Sequence, residues 1–145
     1  MQETIRRMRK ERAEGDRGFT LIELLVVVVI IGVLVAIAIP LYLNYRKGAE
    51  NRSAQSDVRS AITTIEQCYT DNSNAYPASV NSVGQTMTLS CGGTNETVNL
   101  SPNNTAAYTK VAGVGGAPDS YTIAVTQGDT HAVYTYDSST GKITP

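Results

Sequence analysis

Residues 24–39 are all apolar or glycine, and the apolar character runs over residues 19–43 with only Thr20, Glu23, Pro40 and Tyr42 interrupting it. A helix of that length can cross a bilayer. Its Leu, Ile and Val residues, at about −0.3 to −0.6 kcal/mol each, together outweigh one carboxylate at about +3 kcal/mol, so the segment inserts despite Glu23. The pattern then changes. Val58, Ala61, Ile62, Ile65 and Tyr69 recur at helical spacing, while Asp57, Arg59, Thr63 and Glu66 fall largely elsewhere. The two patterns predict one helix over residues 19 to about 71, apolar all round at first and amphipathic afterwards. The turn-forming cluster Asp71-Asn72-Ser73-Asn74-Ala75-Tyr76-Pro77 ends it.

Beyond the helix, stretches rich in Gly, Ser, Thr and Asn separate short runs with β character. Residues 121–127 and 131–137 alternate and are β-branched or aromatic, with Gly128-Asp129 between them. Residues 138–141 turn the chain again into Lys142-Ile143-Thr144. A C-terminal antiparallel meander is therefore expected, preceded by strands near 86–89, 97–100 and 107–111. The expected class is α+β: a long N-terminal helix whose amphipathic half packs on an antiparallel sheet, burying both apolar faces. A chain of 145 residues suits one such domain and a membrane segment.

Charge adds direction. The net charge is −1, but Arg6, Arg7, Arg9, Lys10, Arg12 and Arg17 all precede Phe19, offset only in part by Glu3, Glu11, Glu14 and Asp16. Basic residues before the span and the Tyr42/Tyr45 pair at its far end place the leader in the cytoplasm and the rest outside. The mildly acidic remainder carries no electrostatic footprint for specific nucleic-acid binding. Cys68 and Cys91 are the two cysteines, without a C-x-x-C pair or a His-rich neighbourhood. A structural disulfide between them is expected, which suits an oxidising compartment. An ordinary cleavable secretory signal fits badly, because Ile39-Pro40-Leu41-Tyr42 follows the apolar run where a small-x-small site belongs. A plain signal anchor leaves Gly18 and Glu23 unexplained.

The stretch Gly18-Phe19-Thr20-Leu21-Ile22-Glu23-Leu24-Leu25-Val26, with Gly32 and Ala36-Ile37-Ala38-Ile39-Pro40, resembles the class III signal of type IV pilins and their pseudopilin relatives. The resemblance implies that a membrane prepilin peptidase cuts after Gly18 and methylates the new N-terminus at Phe19, while the apolar segment is kept. It implies a leader over residues 1–18, a transmembrane and filament-core half-helix over 19–45, and an exported globular domain over 46–145. Each residue also has its own physical reading. Gly18 offers an open backbone to a protease. Glu23 is an ionisable group in an apolar span, a position that points to function, although a carboxylate near a helix N-terminus is also favoured there on its own account. Gly32 and Pro40 weaken the helix, and Pro40 cannot donate a bond to residue 36; in resembling filaments the helix loosens here.

Other motifs carry less. Gly113-Val114-Gly115-Gly116-Ala117-Pro118 lacks the further glycine and following helix of a phosphate cradle and reads as a flexible surface loop. His131, the only histidine, reads as a solvent-facing strand residue. No catalytic residue, metal site or cofactor is proposed, and the chain reads as a peptidase substrate rather than an enzyme. The expected partners are copies of itself in a helical filament, the prepilin peptidase, an assembly platform with minor pilins, and the membrane. The expected location is the inner membrane as a single-pass prepilin, then the cell-surface pilus, with adhesion, motility or DNA uptake downstream. A pseudopilin of a type II secretion or competence system shares the whole N-terminal pattern. Major secretion pseudopilins resemble one another in a tryptophan-containing acidic calcium loop, whereas this chain has no Trp and only scattered Asp119, Asp129 and Asp137. An enzyme or ligand-binding domain on a single-pass anchor would need a formed pocket with convergent titratable groups.

Overall fold

The computed structural model describes residues 18–145, so all of the expected leader except Gly18 lies outside the described residues. Helix α1, Leu21–Asp71, runs without interruption through Gly32 and Pro40. It ends in the expected cluster, where Ser73 and Asn74 take left-handed φ values of 55° and 63°. There the Asn74 N–H reaches the Tyr69 carbonyl at 2.9 Å, and the Asn72 side chain donates to the Ala75 carbonyl at 2.8 Å. These bonds satisfy groups that a helix end otherwise leaves open.

The chain divides into two compact units, one reaching Tyr42 and the other Leu43–Pro145. In the first, every described residue is exposed. It belongs to the only helix among the described residues that is long and apolar enough to cross a membrane.

The second unit has seven strands: β1 Val80–Asn81, β2 Thr86–Cys91, β3 Thr94–Asn99, β4 Asn104–Val111, β5 Ser120–Gln127, β6 Val133–Asp137 and β7 Lys142–Thr144. Five form an antiparallel sheet in the order β1-β4-β5-β6-β7, and β2 and β3 form a separate hairpin. The C-terminal meander is present, with Ile123 opposite Tyr108 on one side and Tyr136 on the other. Strict alternation along β5 sends Tyr121, Ile123, Val125 and Gln127 inward. Tyr121, Ile123 and Val125 meet Ala54, Val58, Ala61, Ile65 and Cys68 of α1, and Met87, Leu89 and Val98 of the hairpin close the same cluster. Each large apolar side chain buried here contributes about 1.5–3 kcal/mol relative to an exposed one.

Several elements depart from the expectation. β3 starts at Thr94 because Gly92-Gly93, with φ of 60° and 109°, makes a two-residue hairpin turn from Cys91 to Thr94. A side chain at Gly92 would place its Cβ 2.8 Å from the Asp71 carbonyl oxygen, so this turn can lie against the helix end only as glycine. His131 is not in a strand. It sits in the turn between β5 and β6 with φ 58°, its N–H bonded to the Gln127 carbonyl at 2.9 Å, and the strand begins at Val133. Asp57, expected on the polar side of α1, is only 6% exposed. Its carboxylate accepts the Ser101 N–H at 2.8 Å, the Ser101 hydroxyl at 2.9 Å and the Asn104 amide at 2.6 Å. A buried carboxylate is tolerable when fully bonded in this way, and here it anchors the turn into β4 on the helix.

Tyr69, Tyr76, Tyr121, Tyr108 and Tyr136 form one connected aromatic group, with ring centroids 4.5 to 5.8 Å apart along it. The Tyr121 hydroxyl donates to Glu66 Oε1 at 2.8 Å and that of Tyr108 to the Pro77 carbonyl at 3.2 Å. Burial first, and then the Glu66 bond, push the Tyr121 hydroxyl far above the ordinary tyrosine range, so it stays a donor.

Cys68 and Cys91 are joined as a disulfide, with Cα atoms 5.0 Å apart across 23 positions of sequence. The bond ties the hairpin to the last turns of α1. Closing a loop of that size contributes about 3 kcal/mol. Replacing Cys91 by Ser should therefore lower the unfolding free energy of the second unit by about 3 kcal/mol in chemical denaturation, with the slope reporting any change in the unfolded state. An unchanged midpoint would show that the bridge adds nothing to the packing around it.

Candidate functional site

The start of α1 is built by its own first residues. Gly18 and Phe19 precede the helix, Phe19 being 88% exposed, and Thr20 is the N-cap. The Glu23 N–H donates to the Thr20 hydroxyl oxygen at 3.3 Å, and the Thr20 N–H donates back to Glu23 Oε2 at 2.9 Å. The Thr20 hydroxyl also donates to Oε2 at 2.7 Å. This is a reciprocal capping box, which satisfies two N–H groups that have no partner inside the helix. The sequence signal for it is Thr-x-x-Glu before an apolar run, in which the Thr20 hydroxyl matters as much as the Glu23 charge.

Glu23 Oε2 takes both Thr20 bonds, and Oε1 accepts none among the described residues. Phe19, Ile22, Glu23, Val26 and Val27 line a shallow, mostly apolar groove of about 420 Å³ around the carboxylate. No Lys or Arg lies between Phe19 and Tyr45 to pair with it. Gly32 and Pro40 lie further along the same exposed surface, Gly32 with nothing within 4 Å of a Cβ built on it. The structure thus brings Gly18, Phe19, Thr20 and Glu23 together at one helix end. Gly32, Pro40 and the Cys68–Cys91 bridge lie elsewhere on α1. Among the described residues no group of three or more His, Cys, Asp or Glu side chains is arranged to hold a metal ion.

Comparison with known proteins bears on this helix first. The family described as the prokaryotic N-terminal methylation motif matches residues 15–39. The type IV narrow pilus major component PilA5 of Thermus thermophilus is 34% identical over 113 residues, a match covering 60% of this chain and 97% of that protein. The chain belongs to the type IV pilin family. A type IV major fimbrial protein, FimA of Dichelobacter nodosus, is 48% identical over 60 residues, 41% of this pilin and 38% of the fimbrial protein. The type II secretion system core protein G of Pectobacterium carotovorum is 38% identical over 63 residues, 43% of this pilin and 40% of that chain. The pilin thus spans well under half the length of these last two relatives. No solved structure matches it.

The capping box gives this pilin a testable local property. Thr20→Ala removes the hydroxyl and should cost the helix start about 1 kcal/mol, read as faster amide exchange at Leu21 to Leu24 in detergent micelles. Thr20→Ser should retain the protection. Equal exchange in all three proteins would mean that the cap does not hold in a membrane-like medium.

Proposed function

We propose that the chain is a prepilin cut after Gly18 and methylated at Phe19, which polymerises through its N-terminal helix into a cell-surface filament. One observation carries the reading: an apolar surface, exposed on every side over residues 21–43, begins at a carboxylate one oxygen of which is unbonded among the described residues. Such a surface needs lipid or other apolar helices around it. Lipid covers it before assembly and copies of the same helix after it. On this reading residues 1–18 are a cytoplasmic leader, residues 19–45 the transmembrane and then filament-core half of the helix, and residues 46–145 the exported domain. The prepilin sits in the inner membrane and works with the peptidase, an assembly platform and minor pilins; adhesion, motility or DNA uptake follows from the fibre.

Glu23 has a defined task here. Within a filament core a carboxylate loses water, and an unpaired one costs several kcal/mol. Cleavage supplies a positive charge, the Phe19 amine, which methylation preserves. Glu23 of an incoming subunit pairs with the amine of a subunit already in the fibre, setting the axial register. Gly32 and Pro40 let the helix relax as it packs. The likeness to a type II secretion core protein favours a second reading, a pseudopilin. Against it stand the absence of Trp and the separate engagement of Asp119, Asp129 and Asp137. Asp119 is bonded to Lys110, Asp129 to Asn103 and Asp137 to Ser139.

Two measurements test the proposal together. N-terminal mass spectrometry of membrane and fibre protein should give a methylated Phe19, and an intact Met1 or a cut beyond the apolar run contradicts it. Glu23→Gln and Glu23→Ala should leave processed protein in the membrane at wild-type level and reduce sheared fibres by tenfold or more, on the order of a lost buried pair. Wild-type fibre yield from both variants would remove Glu23 from assembly.

A further inference from the structure

Four asparagines open the pattern Asn-x-Ser/Thr: Asn51, Asn95, Asn99 and Asn103, with Ser53, Thr97, Ser101 and Thr105 as their hydroxyl residues. The pattern marks acceptors for sugar on the asparagine amide in exported chains. It is short, and a chain rich in Asn, Ser and Thr produces it by composition alone. The fold separates the two cases. An acceptor must offer a transferase its amide and the hydroxyl two positions on, both at once.

Three of the four do not meet this condition. Asn51 lies in α1, where its Oδ1 accepts the Thr130 hydroxyl, and the Ser53 hydroxyl donates to the Glu50 carbonyl at 2.7 Å. The Ser101 hydroxyl, on which Asn99 depends, is bonded to buried Asp57 at 2.9 Å. Asn103 donates its amide to Asp129 at 3.0 Å and holds a left-handed φ of 64° in the turn before β4.

Asn95 differs on each count. It is the second residue of β3, just past the Gly92-Gly93 turn, and both Asn95 and Thr97 are exposed. Alternate residues of a strand share a face, so the amide and the hydroxyl point outward together, opposite to buried Val98. Among the described residues neither side chain makes a hydrogen bond or an ion pair. β3 pairs only with β2, and a strand held on one side opens locally at lower cost than a central one. Across the hairpin Ser90 faces Asn95 and Thr88 faces Thr97, and Thr86 faces Asn99; all are exposed. This outer face therefore presents small hydroxyl and amide side chains, with no charge and no bulk to exclude a sugar.

We propose that Asn95 is the acceptor of an asparagine-linked glycan, delivered from a sugar carried on a lipid diphosphate at the outer side of the membrane. Asn95 Nδ2 forms a bond to the anomeric carbon of the sugar, and the bond from that carbon to the diphosphate oxygen breaks. The lipid diphosphate leaves with that electron pair, and one amide proton passes to a base of the transferase. Thr97 is a positioning residue in this step, recognised beside the amide. The proposal rests on the export of residues 46–145 contained in the reading above, since the donor and this face must meet outside the cytoplasm. The attached sugar also covers the edge of β3 that is paired in no sheet, where another chain could otherwise add a strand.

The test is peptide mass spectrometry on protein from its own host. A Glu-specific protease cutting after Glu66 and Glu96 puts Asn95 on a different peptide from Asn99 and Asn103. Fragmentation that keeps sugars attached should place added mass at Asn95 on the 67–96 peptide. Asn95→Gln and Thr97→Ala should each remove that mass, whereas Thr97→Ser and Asn103→Gln should retain it. Formation of the Cys68–Cys91 disulfide, read on non-reducing gels, checks the folding of each variant. A bare Asn95 in disulfide-bonded protein that begins at Phe19 overturns the site and leaves the filament reading standing. Sugar on a Thr or Ser of the same peptide, persisting in Asn95→Gln, overturns it too. Modified Asn95 in a chain that never forms fibres would support the site and contradict the filament reading alone.

Discussion

A long apolar helix surface, exposed among the described residues, governs the rest of this molecule. Among the described residues, Leu21 to Leu43 are exposed on all sides of α1. Water is a poor environment for that surface, which needs lipid or other apolar helices around it. The capping box at Thr20 and Glu23 fits this requirement. It closes the helix start internally, leaving few open backbone donors to be satisfied in a medium that offers no water.

The same helix then serves a different purpose. From Ala54 to Cys68 it is the inner wall of a small domain, with small residues at Ala54 and Ala61 and larger ones at Val58 and Ile65. The sheet, the hairpin and the helix share a single apolar cluster, fastened by a buried carboxylate at one end and a disulfide at the other. Both fasteners tie returning chain to α1 rather than strand to strand. For a domain whose loops are rich in Gly, Ser and Asn, such links to the helix reduce the order that the sheet must create by itself.

Much of this was legible in the sequence because it is periodic. The uninterrupted apolar run, the helical spacing of Val58, Ala61 and Ile65, and the alternation of Tyr121 to Gln127 each repeat often enough to fix element type and facing. What escaped is not periodic. β1 has two residues and carries no pattern. Asp57 lies on the buried stripe by spacing, between Ala54 and Ala61, but its polarity suggested solvent; only the loop at Ser101 to Asn104 explains its position. His131 sits in a residue-specific turn that alternation could not separate from the strand after it. The hairpin start at Thr94 follows from Gly92-Gly93, a local turn signal with no periodicity. At the helix start Glu23 stood out, whereas the hydroxyl that orients it did not.

If copies of the apolar helix replace lipid, they must form the centre of the assembled fibre. Electron cryomicroscopy of sheared native fibres tests this directly. The account predicts a core of packed helices made from residues 19–43, with each Glu23 carboxylate within about 4 Å of the Phe19 amine of a neighbouring subunit. A fibre held together by the exported domains alone, with the apolar segment absent or lying on the outer surface, would contradict it.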